Sequence, residues 1–221
     1  MKIIKILDAS QIDYVKNLIE DLEFHDGKKT ALGMTKKVKL NKHAVAEGDK
    51  YQELVSYIGD ILITNQWLKK RYLPKAFSPP LINKYEVGDG YGRHFDNSHI
   101  STESGLIKLD FSFTLMLSSK SDYEGGELKI ETGSMTHEVK MDAGDLVIYP
   151  SSYIHSVLSI TKGKRVAYVG WITSYIKDQF AFETINAYED MHLALLKYNL
   201  SEEDKLSLSY VQNKLQHLVS K

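Results

Sequence analysis

Apolar residues recur along this chain in two rhythms. Behind Asp8 and Ser10, either of which can cap a helix, Ile12, Val15, Ile19 and Leu22 follow helical spacing, and Leu54, Val55, Ile58 and Leu62 do the same in a second helix over 51–62. Ser78-Pro79-Pro80 ends any helix before the rhythm changes. From Leu81 the pattern becomes short β-like runs separated by Gly-containing turns, read as strands at 81–87, 91–96, 109–118, 126–131, 136–141, 145–149, 154–160 and 165–172. Residues 3–7 add a strand at the start. After Trp171 helical spacing returns, with Ile176, Phe180, Tyr188, Met191 and Leu195 in one stripe. Asn199 and Ser201 break it before a last helix carrying Leu206, Leu208, Val211, Leu215 and Leu218.

The pattern predicts an α+β protein whose eight strands form a double-sheet jelly roll between N-terminal and C-terminal helices. Within one domain, 1–77 is expected to be a helical and strand support region, 78–175 the core, and 176–221 a helical extension covering the barrel or another subunit. Lys162-Gly163 is expected to turn the last two strands into a hairpin, and Gly125-Gly126 to open another strand. The stretch His25 to Ala31 carries a turn signal, and the Lys-rich residues from there to Asn41 read as a loop plus an edge strand with a solvated basic face.

Composition narrows the function. Lys and Arg number 28 against 29 Asp and Glu, a formal net charge of -1, so no bulk field recruits nucleic acid or an anionic membrane. Cys is absent, which excludes disulfides and thiolate ligands and leaves any metal to His and carboxylates. The opening Met1 to Leu7 is too short and too interrupted by charge for a signal segment, and no long apolar run follows, so a soluble, cytoplasmic chain with no membrane span is expected. Arg stands only at positions 71, 93 and 165, which makes each placement informative.

Candidate chemistry gathers in the stretch Tyr85 to Asn97, around His94 and Asp96. Side chains two apart in a strand leave the same face, so His94 and Asp96 can converge on one point. Alone that pair is a weak signal. His155 follows a later strand and a Pro-containing turn, and two imidazoles with one carboxylate make the facial triad of non-heme Fe(II) oxygenases, with open positions for reactants. Ten residues on, Arg165 begins the last strand, where it is either a surface ion pair or a fork for the distal carboxylate of a dicarboxylate co-substrate. Tyr85 is either an ordinary core Tyr or a donor to the same co-substrate. Tyr91 and Asn97 flank the triad as orienting or packing groups, Glu127 reads as an exposed strand position, and Trp171, Tyr168 and Tyr153 read as core.

These segments resemble a known family. Asp26 to Ala31, Tyr85 to Asn97, Asp110 to Leu115, Asp122 to Leu128, Tyr149 to His155, Gly163 to Arg165 and Trp171 to Ser174 together are similar to PKHD-type hydroxylases, within the prolyl-4-hydroxylase-like Fe(II)/2-oxoglutarate dioxygenases. The resemblance implies a double-stranded β-helix, Fe(II) on His94, Asp96 and His155, and 2-oxoglutarate on Arg165. It implies O2 as oxidant, hydroxylation of a C–H bond with release of succinate and CO2, L-ascorbate as reductant, and a protein or peptide substrate such as a peptidyl proline. A homodimer through the terminal helices is a further expectation. Lys108 stands where the family usually has Arg before Asp110, and the tail after Asp178 lacks an Arg the family carries. Three other readings share parts of this pattern: a nucleic-acid demethylase, disfavoured by neutral charge and by the single Arg after His155; a small-molecule metal enzyme of the cupin type, which would normally use more than one His near the first ligand and would not need Arg165; and a non-catalytic binding module, disfavoured by four intact site residues.

Overall fold

The computed structural model describes residues 2–27, 38–102 and 105–219. Along the chain run β1 (Lys2–Lys5), α1 (Ala9–Glu20), β2 (Phe24–Asp26), β3 (Lys39–Leu40), β4 (Lys42–Ala44), α2 (Asp49–Thr64), α3 (Gln66–Tyr72), β5 (Pro74–Phe77) and β6 (Leu81–Tyr85). There follow β7 (Gly90–His94), β8 (His99–Thr102), β9 (Gly105–Lys108), β10 (Phe111–Met116), β11 (Tyr123–Gly125), β12 (Leu128–Thr132) and β13 (Met135–Val139). The chain ends with β14 (Asp145–Pro150), β15 (His155–Val157), β16 (Ile160–Gly163), β17 (Arg165–Ser174), α4 (Gln179–Leu195) and α5 (Glu202–Val219). Met1–Gly59 with Phe77–Ile172 makes one compact unit, and Asp60–Ala76 with Thr173–Lys221 makes another.

In the first unit, one sheet has the strand order β1-β14-β10-β17-β6-β4-β2 and a second has β13-β12-β15-β7-β3, with antiparallel neighbours. Tyr85, Met116, Val147, Tyr149 and Ala167 of the first sheet share a core with Leu128, Ile130, Val139 and Val157 of the second. Every residue of β10 is buried, because the strand is central in its sheet and covered on both faces. Leu115 is wholly inaccessible there, between Leu146 and Tyr168 in register. Leu115→Ala is expected to cost about 2–5 kcal/mol, by lost transfer energy plus an unfilled cavity. Urea unfolding measures it.

Local chemistry explains the helices. Asp8, rather than Ser10, caps α1: its carboxylate accepts from the Gln11 amide while the Gln11 side chain accepts from the Asp8 amide, which satisfies two orphan donors. In α2, Tyr51, Leu54, Ile58 and Leu62 are buried at helical spacing, and Asn65 caps α3, an element the hydrophobic pattern alone did not reveal. In the second unit Ile176, Ala181 and Ile185 pack with Leu73 and Phe182, and the buried Arg71 guanidinium donates to Asp190 at 2.6 Å. The stripe read for this region holds in part: Ile176 and Tyr188 are buried, but Phe180 and Met191 are exposed and Ile185 and His192 are buried in their stead. The Asp178 cap sets the helix phase, and none of the residues of α5 is buried. Among the described residues no helix is long and apolar enough to cross a membrane.

Other strand readings need correction. The run 154–160 divides: β15 pairs with β12 and β7, while β16 pairs with β11. Lys162-Gly163 therefore makes no hairpin with β17, which pairs instead with β10 and β6. At Gly163 the backbone has φ +75° and an added Cβ would lie 2.0 Å from the Asp122 carbonyl, so the turn is pressed against β11 and the chain changes sheets there. Gly125 closes β11 at a register shift, and β12 begins only at Leu128. Of the turn read at His25 to Ala31, residues 28–31 lie outside the described residues; the expected solvated face ends differently, because Lys39 is buried against β7.

Candidate active site

His94 ends β7 and His155 begins β15, and the antiparallel register sets these two residues opposite each other. Their rings lie with centroids 4.2 Å apart. Nδ1 of His94 is 2.8 Å from the Gly92 carbonyl and Nδ1 of His155 is 3.0 Å from the Tyr153 carbonyl, so each Nδ1 carries a proton and each Nε2 is left with its lone pair. Asp96 follows just past the strand, held by its amide donating to the Ser151 carbonyl at 3.2 Å. Ligand atoms of His94, Asp96 and His155 lie within 4.8 Å of one another. Burial, and then the neighbouring His155, push His94 down to about 4, so at neutral pH its imidazole is uncharged and able to ligate.

The carboxylate is oriented by two residues that the sequence reading did not assign to the site. Ser112 Oγ donates to Asp96 Oδ2 at 2.5 Å, and Trp171 Nε1 donates to the same oxygen at 2.9 Å. Trp171 shares a face of β17 with Arg165, so strand alternation counted onward from Arg165 would have found it. Tyr91 stacks on His94 with centroids 3.6 Å apart, while Asn97 lines the cavity and the bonds to Asp96 come from Ser112 and Trp171. Trp171→Phe removes one donor while keeping the ring, and should weaken metal binding roughly 10- to 100-fold. Titration of the apoprotein with Fe(II) under argon reads this directly.

Arg165 is 2% exposed, sits opposite Tyr85 in register, and holds its guanidinium 5.1 Å from the Tyr85 ring centroid. Its Nε has no hydrogen-bond partner among the described residues. A Cβ on Gly126, where φ is +68°, would come within 3.1 Å of Arg165 Cδ and 2.4 Å of Ile160 Cδ1, so only glycine lets the arginine stem pass. Burial pushes the Tyr85 and Tyr149 phenols up, Tyr149 strongly, so both remain neutral donors. A cavity of about 580 Å³ joins these parts and is lined by the triad, Arg165, Tyr85, Tyr149, Trp171 and Lys39 among others. Asp96 is the only carboxylate on its wall among the described residues.

Two imidazoles and a carboxylate, with no thiolate, are a donor set suited to Fe(II), and a buried guanidinium with an orphaned N–H is suited to a carboxylate ligand. His94, Asp96 and His155 can therefore hold a divalent metal, and Arg165 with Tyr85 can hold an anionic co-substrate.

Comparison with known proteins agrees with this chemistry. Residues 80–173 match the family described as the 2OG-Fe(II) oxygenase superfamily. A PKHD-type hydroxylase of Alteromonas mediterranea is 34% identical over 203 residues, covering 91% of this chain and 90% of the relative. A prolyl hydroxylase of Trichoplax adhaerens, solved with a peptide fragment of the hypoxia inducible factor oxygen degradation domain, superposes with a TM-score of 0.61 at 18% identity, covering 78% of this chain and 83% of that one. A Pseudomonas putida prolyl-4-hydroxylase gives 0.55 at 17% identity, covering 77% and 91%. At such identities the structural likeness is one of fold.

Proposed function

Since the chain belongs to the PKHD-type hydroxylases of the 2OG-Fe(II) oxygenase superfamily, and so is a dioxygenase using O2 and 2-oxoglutarate, we propose that it hydroxylates a C–H bond of a peptidyl substrate, a proline being the first candidate, with release of succinate and CO2. The observation that carries this reading is the His94, Asp96 and His155 cluster opening on a cavity that also contains the buried, incompletely bonded Arg165. The peptide bound by the Trichoplax neighbour supports a peptide substrate, and the two facing sheets support a double-stranded β-helix. The core is assigned to 78–175 with 1–77 in support; 176–221 is an extension through which a homodimer would form. The enzyme would work in the cytoplasm with L-ascorbate as reductant.

In this scheme His94, Asp96 and His155 would hold Fe(II), which would supply the activation of O2 that no side chain can perform. Ser112 and Trp171 keep the Asp96 carboxylate from rotating away from that role. Arg165 and Tyr85 receive the distal carboxylate of 2-oxoglutarate and fix its direction in the cavity. Leu128, Val157 and Val169, which also line the cavity, keep bulk water from the reacting groups.

The test starts from anaerobic protein loaded with Fe(II) and 2-oxoglutarate and then given O2. Succinate should form, more quickly when a proline peptide is present, and the peptide should gain one oxygen atom by mass spectrometry. Absence of succinate in all such conditions would sink the proposal, whereas succinate without peptide oxidation would reject only the peptides tried.

A further inference from the structure

Beyond β17 the strands β6, β4 and β2 carry the first sheet outward. In register across them stand Ala167 of β17, Asn83 of β6, His43 of β4 and His25 of β2, and the last three line the cavity. Leu81, Asn83 and Tyr85 alternate onto the cavity face of β6, so Asn83 stands two residues, roughly 6–7 Å, along the strand from the Tyr85 and Arg165 pair. Past Asn83 the wall continues through Ala44, Val45, Ala46, Pro79 and Pro80. That part of the wall carries no lysine, arginine or carboxylate among the described residues.

Asn83 is 5% exposed, and its side-chain Oδ1 has no hydrogen-bond partner among the described residues. A buried carbonyl oxygen left unpaired is costly, so this one marks where a donor is to arrive. 2-Oxoglutarate cannot be that donor, because its two carboxylates and its ketone only accept. The donor therefore belongs to the primary substrate. A carboxamide also matches a peptide group: Oδ1 accepts and Nδ2 donates, so one asparagine can bond both the N–H and the C=O of a single residue in an extended chain. An apolar wall without full charges suits such a chain better than it suits an ionic ligand.

We propose that Asn83 receives a main-chain N–H of a peptide substrate, and that the uncharged wall beyond it carries the extended chain on one side of the oxidised residue. This rests on the dioxygenase reading and deepens it. Where the oxidised residue is a proline, its own nitrogen carries no hydrogen. The N–H then belongs to a neighbouring residue, and Asn83 reads the chain rather than the ring.

Calorimetric titration of the anaerobic Fe(II) and 2-oxoglutarate complex tests it with N-acetylated, C-amidated Ala-Ala-Pro-Ala-Ala and its four analogues, each N-methylated at one alanine. One analogue should bind roughly tenfold more weakly than the parent peptide, because its bond to Asn83 is gone. The position of that alanine tells which side of the proline lies on the uncharged wall. Asn83→Leu, or Asn83→Ala should that variant melt early, should bind the parent peptide about tenfold more weakly and no longer distinguish it from that analogue, since both changes remove the same bond. The variant's loss of 2-oxoglutarate affinity should be smaller than its loss of peptide affinity. The proposal is overturned if the parent peptide does not bind, if no analogue discriminates, if the penalty survives in the Asn83 variant, or if 2-oxoglutarate affinity falls by as much as peptide affinity, which would assign Asn83 to the co-substrate. Wild-type protein that binds Fe(II) but no 2-oxoglutarate would overturn the dioxygenase reading itself, a separate and visible failure.

Discussion

His155→Ala is expected to abolish both tight Fe(II) binding and oxygen-dependent succinate formation, with metal affinity falling at least about 100-fold. Loss of a residue that merely supports a ligand already costs roughly 10- to 100-fold, and His155 would be a ligand itself. Among the described residues the cluster holds no further imidazole to take its place, since its other members are His94 and Asp96. The Nδ1 bond of His155 to the Tyr153 carbonyl also means that its Nε2 is aimed before metal arrives, so the variant loses a preorganised donor. The visible charge-transfer band of the anaerobic Fe(II) and 2-oxoglutarate complex reports the outcome. An unchanged band, with the variant's melting temperature near that of the parent, would remove His155 from the centre.

Arg165→Ala should leave iron binding nearly intact and weaken 2-oxoglutarate by on the order of 2–5 kcal/mol, the usual cost of truncating one partner of a buried charged pair. That corresponds to roughly thirtyfold to several thousandfold in dissociation constant. The guanidinium is buried and lies over Tyr85, so its field is poorly screened. Arg165→Lys should recover only part of the loss, since an ammonium cannot match a carboxylate with two parallel bonds. Anaerobic titration of each variant with 2-oxoglutarate, monitored by the same band, separates this from metal loss. Wild-type affinity in Arg165→Ala would refute the carboxylate role.

Both effects trace back to residues legible in the chain itself. The spacing of His94 and Asp96 has meaning because neighbouring strand residues alternate between faces, and the isolated position of Arg165 among so few arginines made it conspicuous. Alternation and turn residues likewise located β6, β7, β10, β12, β13, β14 and β17, and the capping residue of α1 stood among the two candidates offered. The edge strand expected before Asn41 is present as β3 at the border of the second sheet. The strands β2 and β4 escaped: each is three residues long, too brief to show a period, and they take their conformation from pairing with each other and, through β4, with β6.

The sequence by itself determined the chemistry available: two imidazoles, one carboxylate, one arginine ten residues past the second His, and no thiolate. Periodicity is a local property and survives in one dimension. Only the tertiary structure decided which oxygen of Asp96 is held, by Ser112 and Trp171, and that Lys39 turns from an expected solvent face into the cavity. It also decided that Gly163 carries the chain from one sheet to the other instead of closing a hairpin. Each of these depends on pairing between residues far apart in the chain, where register and packing choose among partners that local propensity leaves equivalent.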